Sequence, residues 1–270
     1  MNDERVQDSL SIDLEGGVDR IIVSIVAGEV TVTTGERAHV DVRRESGDEV
    51  HVRHGEGLLH VAQPDPTSSG FDRILSLFGS GRRQRCTVAI TAPPTAKIDI
   101  STVSATIVAS GFDGGSKIKT VSGDVTLSQL SGKVDVKTVS GDVDAKDVGE
   151  ELKLKSVSGD LTVVDGSCRR VDSKSVSGDV ILDLDLDPTG SYDVTTVSGN
   201  VALRAKGELN LTVDAKSISG SFMSDFGGDW HREPGRRSLH HTIGNGGARL
   251  WVKTVSGDLR LIRGREIGAA

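Results

Sequence analysis

The sequence predicts an all-β chain: a single-stranded parallel β-solenoid, or β-helix, of about 18–21 residues per coil, with two facing sheets and an irregular N-terminal β cap. Three observations predict it. First, a pentapeptide of the form Val-Ser-Gly-Asp-Val recurs, its first residue at Val121, Val139, Val157, Val176, Val197, Ile218 and Val255, after a degenerate forerunner, Val103-Ser104-Ala105-Thr106-Ile107. Counted from Val103, the spacings are 18, 18, 18, 19, 21, 21 and 37 residues. Second, each 18-residue interval divides into two nine-residue halves, apolar at positions 1, 5 and 7. Leu130, Val134 and Val136 make one half and Val148, Leu152 and Leu154 another, and the in-out-in order at positions 5 to 7 is the mark of a strand with one buried face. Third, only 3% of the chain is aromatic, which suits a thin core of β-branched side chains between sheets about 10 Å apart.

Taken from the N-terminus, residues 1–63 alternate as strands in Ile21 to Val26 and His39 to Val42, with Gly28, Gly35, Gly47, Gly55 and Gly57 as punctuation. They lack the Ser-Gly-Asp beat and are expected to cap the solenoid, since an open strand edge invites aggregation. Residues 64–85 are expected to form a mobile loop containing a short helix. Phe71, Ile74, Leu75 and Phe78 share one helical face there, and Arg82, Arg83 and Arg85 follow, so these four apolar residues are the candidate partner-docking group.

Residues 86–262 carry the solenoid. Its turn residues are Gly123 and Asp124, Gly141 and Asp142, Gly159 and Asp160, Gly178 and Asp179, Gly199 and Asn200, Gly220, and Gly257 and Asp258. The glycine is expected at positive φ in a type II turn, the aspartate to accept a backbone N–H within its own turn, and the first valine to fill the core. A row of cation sites is the competing reading of the aspartates, and Asn200 and Ser221 interrupt it. Lys119, Lys137, Lys155, Lys174, Lys216 and Lys253 precede the repeat by two positions, and rows of like charge about 4.8 Å apart need counter-charges.

An insertion at 223–247 accounts for the longest spacing, close to two coils. It carries Trp230, His231, Glu233, His240 and His241. Adjacent histidines on a strand point to opposite faces, so the expectation is a structural excursion that returns as a strand from Ser238 to Ile243. Residues 263–270 form a tail.

The net charge of −7, with both signs interspersed, argues against nucleic acid as a partner. No apolar run is long enough for a membrane span, and the first residues lack the pattern of an export signal, so a cytoplasmic location is expected. Cys86 and Cys168 are far apart in sequence and are expected to be buried structural thiols. No cofactor, metal or catalytic residue is expected.

The Thr-Val-Ser-Gly-Asp-Val units, the closing run from Gly244 to Leu259 and the Val-rich N-terminal part resemble a bacterial β-strand-repeat domain of unknown function labelled "putative adhesin". The resemblance spans about residues 10 to 262. It implies the repeated β architecture, no agreed catalytic residues, and for some members a link to bacterial envelope stress. The expected function is that of a non-catalytic interaction or scaffold protein, with an unknown protein partner and with self-association through an open C-terminal end after Leu261. The alternatives are a self-assembling structural protein of the bactofilin kind and, less favoured because its turns are short, a polysaccharide-acting β-helix enzyme.

Overall fold

The computed structural model describes residues 1–63, 84–206, 209–228, 231–233 and 236–264. Among these residues the chain is all strand, turn and bend, with no helix. The candidate docking residues Phe71, Ile74, Leu75 and Phe78 lie outside the described residues. The chain falls into two compact units, Met1–Gly141 and Asp142–Ala270.

In the first unit the strands are β1 (Asn2–Val6), β2 (Ser9–Asp13), β3 (Arg20–Thr34), β4 (His39–Ser46), β5 (Val50–Gly55), β6 (Leu58–Ala62), β7 (Arg85–Ala92), β8 (Lys97–Ser110), β9 (Ser116–Lys119), β10 (Val125–Leu130) and β11 (Val134–Lys137). β3 and β8 are long enough to serve two runs of paired strands. Their first halves pair in parallel with each other, with β6 on one side and β9 on the other. Their second halves pair in parallel with each other, with β7 on one side and β10 on the other. Only the outermost strands turn antiparallel, β4 on β7 and β2 on β4 in one run, β5 on β6 and β1 on β5 in the other. The edge strand β1 exposes Asn2 and the charged Asp3, Glu4 and Arg5, and these charges discourage another chain from pairing there.

In the second unit the strands are β12 (Val143–Lys155), β13 (Leu161–Lys174), β14 (Val180–Leu184), β15 (Ser191–Thr195), β16 (Val201–Ala205), β17 (Leu211–Ser217), β18 (Phe222–Ser224), β19 (His231–Glu233), β20 (Arg236–Ile243), β21 (Ala248–Lys253) and β22 (Leu259–Arg263). Here too the pairings make two parallel runs. One stacks β12, β13, β14, β16, β22 and β18, and the other stacks β12, β13, β15, β21 and β17. The nine-residue halves predicted from sequence are therefore strands, and the buried side chains Val180, Val201 and Leu259 in one run and Val171, Tyr192 and Leu250 in the other supply the core. Tyr192 is the exception to a thin aliphatic filling. Its hydroxyl donates to the Cys168 carbonyl at 3.0 Å and accepts from the Asp187 N–H at 2.9 Å, so burial leaves no polar atom stranded.

The order of stacking departs from the order of sequence. The last repeat, β21 and β22, lies between the repeats that precede it: β21 between β15 and β17, β22 between β16 and β18. The open end expected after Leu261 is therefore corrected, because Leu261 has Leu203 on one side and Ser224 on the other. The physical reason is the chain between β18 and β21. It supplies β20, which lies antiparallel on β17 and satisfies the outer edge of that run, leaving the final repeat to fill the place inside. The longest spacing is thus an edge-closing detour rather than two further repeats.

The glycine of the repeat answers a different demand from the one expected. Gly159 and Gly178 have positive φ, 123° and 120°, whereas Gly123, Gly141, Gly199, Gly220 and Gly257 do not, so a type II turn is not the common cause. Close approach is. A Cβ on Gly178 would lie 2.2 Å from the Gly159 carbonyl oxygen, on Gly199 2.1 Å from that of Gly178, on Gly257 2.0 Å from that of Gly199, and on Gly220 2.1 Å from that of Gly257. The first unit shows the same kind of contact: a Cβ on Gly28 would lie 1.9 Å from the Cys86 carbonyl oxygen and one on Gly123 1.8 Å from that of Ala105. Ala105, the departure noted in the first repeat, sits in the uninterrupted strand β8 and pairs with Gly28, so this corner does differ from the later ones. The first valine of the motif is corrected as well. Val139, Val157, Val176, Val197, Ile218 and Val255 are 39–57% exposed, and the residue before each, Thr138, Ser156, Ser175, Thr196, Ser217 and Thr254, turns inward instead.

Away from the glycine corners, non-glycine residues take the left-handed region at an 18-residue interval: Gln129 in the first unit at φ 53°, and Asp147 and Asp165 in the second at 53° and 55°. The corner glycines predict a sharp contrast. Gly199→Ala should cost about 1–3 kcal/mol in urea unfolding through overpacking against backbone, while Gly17→Ala, whose Cβ would meet nothing within 4 Å, should stay within about 0.5 kcal/mol of the parent.

Candidate functional site

The repeat aspartates are engaged with the backbone. Asp142 Oδ1 accepts the N–H of Asp160, Asp160 Oδ1 that of Asp179, and Asp179 Oδ1 that of Asn200, each at 2.8 Å. Asn200 Oδ1 then accepts the Asp258 N–H at 3.0 Å, and Asp258 Oδ1 the Ser221 N–H at 2.8 Å. The expected bond within each turn is thus replaced by a bond to the next repeat, because parallel stacking brings that N–H directly over the carboxylate. The bond from Ser221 holds the Asp258 carboxyl below its ordinary range. Asn200 does the same work with an amide oxygen, and Ser221 precedes β18, the outermost strand of its run among the described residues. The serines before the glycines bridge in the same order, Ser158, Ser177, Ser198, Ser256 and Ser219. Among the described residues, no three or more His, Cys, Asp or Glu side chains are grouped to hold a metal ion.

The outer face of the second parallel run carries charge in mixed columns. Asp172 meets Lys174 at 3.2 Å and Lys153 at 4.0 Å, which supplies counter-charge to the lysine row predicted from sequence. Across the same face, Asp193 and Asp214 flank Trp251 in register, and Asp214 binds His240 Nδ1 at 2.7 Å. His240 is exposed, and His241 instead approaches the Phe226 carbonyl at 3.2 Å, so the two adjacent histidines do face opposite ways. Trp230 lies outside the described residues. On the other run, Asp183 is buried and paired with Arg204, and Asp165 pairs with Lys206, whose ammonium draws the Asp165 carboxyl below its ordinary range.

One cluster has the outline of nucleophilic chemistry. Ser11 Oγ lies 3.3 Å from His39 Nε2, and Asp13 Oδ1 lies 2.7 Å from His39 Nδ1. Asp41 Oδ2, however, approaches Nε2 more closely, at 3.0 Å. With a carboxylate on each ring nitrogen, the bond to Asp13 foremost and the charge of Asp41 next raise the His39 pKa above its ordinary value of 6.5. Asp41 holds the same ring nitrogen that Ser11 approaches, and His39 reaches across to Ser11 and Asp13 on the neighbouring strand, so the cluster reads as a tie between β2 and β4.

A further feature joins the described residues on either side of 64–83. Gln63 and Gln84, on those two sides, are both buried and both hold Asp48. Gln63 Nε2 donates to the Asp48 carbonyl at 2.7 Å and to that of Ser46 at 3.2 Å. Gln84 Nε2 donates to the Asp48 carboxylate at 2.8 Å, and its Oε1 accepts the Asp48 N–H at 2.9 Å. The segment thereby leaves and re-enters at the place where β6 gives way to β7, the same corner that later repeats fill with Ser-Gly-Asp. Elsewhere in the first unit, an open hollow of about 200 Å³ is lined by Leu14, Gly17, His54 and Glu56. Cys86 and Cys168 are buried, and burial raises each thiol to about 12, which makes both inert at neutral pH. No helix among the described residues is long and apolar enough to cross a membrane.

The class these features define is a repetitive all-β domain whose polar motif residues serve the stacking. Residues 18–261 match the family described as Toastrack DUF4097, and the chain belongs to that family. Solved structures give further likenesses. A "putative adhesin" from Parabacteroides distasonis is 14% identical, with 94% of this chain and 96% of that one covered and a TM-score of 0.49. A "putative adhesin" from Bacteroides fragilis is 12% identical, with 95% and 98% covered and a TM-score of 0.46. A "putative lipid binding protein" from Parabacteroides distasonis is 9% identical, with 96% and 98% covered and a TM-score of 0.31. No curated protein matches the sequence.

Two outcomes test the site chemistry. Asp179→Ala, which removes the acceptor for the Asn200 N–H, should cost about 0.5–1.5 kcal/mol, and Asp179→Asn should recover most of it, since Asn200 already performs this role one repeat on. For His39 the folded pKa is raised, so its contribution to stability is complete below the unfolded value near 6.5 and is lost as pH rises through the folded value. An NMR titration should place His39 above 6.5 in the parent and lower in Asp13→Asn.

Proposed function

We propose that this chain is a non-catalytic scaffold: a single-stranded parallel β-solenoid whose two facing sheets present flat, columnar outer surfaces to a protein partner. The observation that carries the reading is the ladder from Asp142 to Ser221, in which the polar residues of the motif bind the neighbouring repeat. The parallel registers support the solenoid reading, with residue offsets of 18 between Val143 and Leu161, 19 between Leu161 and Val180, and 21 between Val180 and Val201. The docking role of Phe71, Ile74, Leu75 and Phe78 belongs to the same proposal. Its supports are their shared helical spacing and the Gln63, Gln84 and Asp48 clasp that fixes both ends of their segment.

The rival reading is action on a polysaccharide, and one comparison separates them. Affinity capture with the parent should retain a discrete protein that is lost when Phe71, Ile74, Leu75 and Phe78 are changed together to serine, with unfolding unaltered. Polysaccharide cleavage by the parent that disappears in Asp142→Ala would contradict the scaffold reading.

A further inference from the structure

In the second unit the corner carries four parallel columns. At its apex run the exposed Val157, Val176, Val197, Val255 and Ile218, side by side with the serines Ser158, Ser177, Ser198, Ser256 and Ser219. On one flank stand Lys155, Lys174, Lys253 and Lys216, with Thr195 among them. On the other stand Asp160, Asp179, Asn200 and Asp258, ending at Ser221. The stripe runs about 20 Å, four steps of strand spacing. Its aliphatic side chains are about half exposed, and no demand of the fold accounts for a branched apolar residue at every step.

We propose that this corner is a self-complementary contact for a second copy of the chain, joined in parallel about a two-fold axis along the stripe. The charge pattern selects both occupant and orientation. Rotation about an axis parallel to the stripe carries the lysine flank of one copy opposite the aspartate flank of the other, and places valine against serine at the apex. Rotation about an axis across the stripe sets lysine against lysine and aspartate against aspartate. Only the first arrangement turns both flanks from repulsion to attraction. An anionic membrane surface would also suit the lysines and valines but would meet the aspartate flank at the same depth. The contact is narrow, so it belongs among weak, reversible associations. The inference rests on the scaffold reading and names one partner for it.

Sedimentation equilibrium from micromolar to millimolar protein, at low and high salt, tests it. The parent should dimerise weakly, and less at high salt. Val176→Ser with Val197→Ser and Val255→Ser, all at exposed positions, should weaken the dimer by about tenfold or more while leaving the unfolding midpoint in place. Orientation is read by disulfide trapping, since the native thiols are buried. Ser158→Cys should trap with itself, and a mixture of Ser158→Cys and Ser219→Cys should yield the two like pairs. Cross-linking only between unlike pairs would overturn the parallel geometry, and a dimer indifferent to the valine changes would place the contact elsewhere. A chain that stays monomeric throughout yet captures another protein would overturn this inference while leaving the scaffold reading intact.

Discussion

Backbone-to-backbone contact at one corner governs the second unit. Strands that pair in parallel sit about 4.8 Å apart, and at a corner the chain must keep that spacing while changing direction. A glycine at every step lets each repeat rest directly on the carbonyl of its neighbour, where a Cβ would intrude to about 2 Å. The remaining regularities follow from that closeness. It brings the N–H of one repeat over the carboxylate of another, so the aspartate that follows the glycine becomes a tie between repeats. It also forces the residue two before the glycine outward and the one before that inward, which is why valine is exposed and threonine or serine buried.

The ends show the same constraint from the other side. A stack of parallel strands has no natural stop, and each end leaves a row of unpaired backbone groups. The first unit closes its end with antiparallel strands, β4 with β2 and β5 with β1. The second closes one run with β20, and the chain then returns to fill an inner place with β21 and β22. That return means β17 and β18 reach their final partners only after the last repeat is in place, so a large share of the unit's pairing joins residues far apart in sequence. Such topologies fold slowly.

Much of this was legible in the residues. The nine-residue halves, the inward alternation and the family all follow from the Val-Ser-Gly-Asp beat. The roles of individual motif residues were less so, because glycine serves equally for positive φ and for close approach, and only the neighbour's carbonyl distinguishes them. Likewise an aspartate that can bond its own turn can bond the next, and spacing along the chain does not tell the two apart. Val157 and its equivalents share the period of the core and were assigned to it, yet they stand at the corner, one residue beyond the strand's alternation. The inserted final repeat left no local mark, since β21 and β22 carry the same pattern as every other repeat. The left-handed residues Gln129, Asp147 and Asp165 did leave one, an 18-residue recurrence of polar residues, but side chains of that kind suit any exposed position. The His39 cluster joins residues up to 28 apart through strand pairing, which no motif announces.

Amide hydrogen exchange at the corner reads directly whether each carboxylate holds its neighbour. If each carboxylate ties the next repeat, the N–H groups of Asp160, Asp179, Asn200 and Asp258 should be protected to about the level of their strand neighbours Val180 and Val201, although they sit at solvent-facing turns. Exchange at these four amides as fast as in an open loop, with the strands still protected, would show that the aspartate carboxylates face solvent without holding the next repeat.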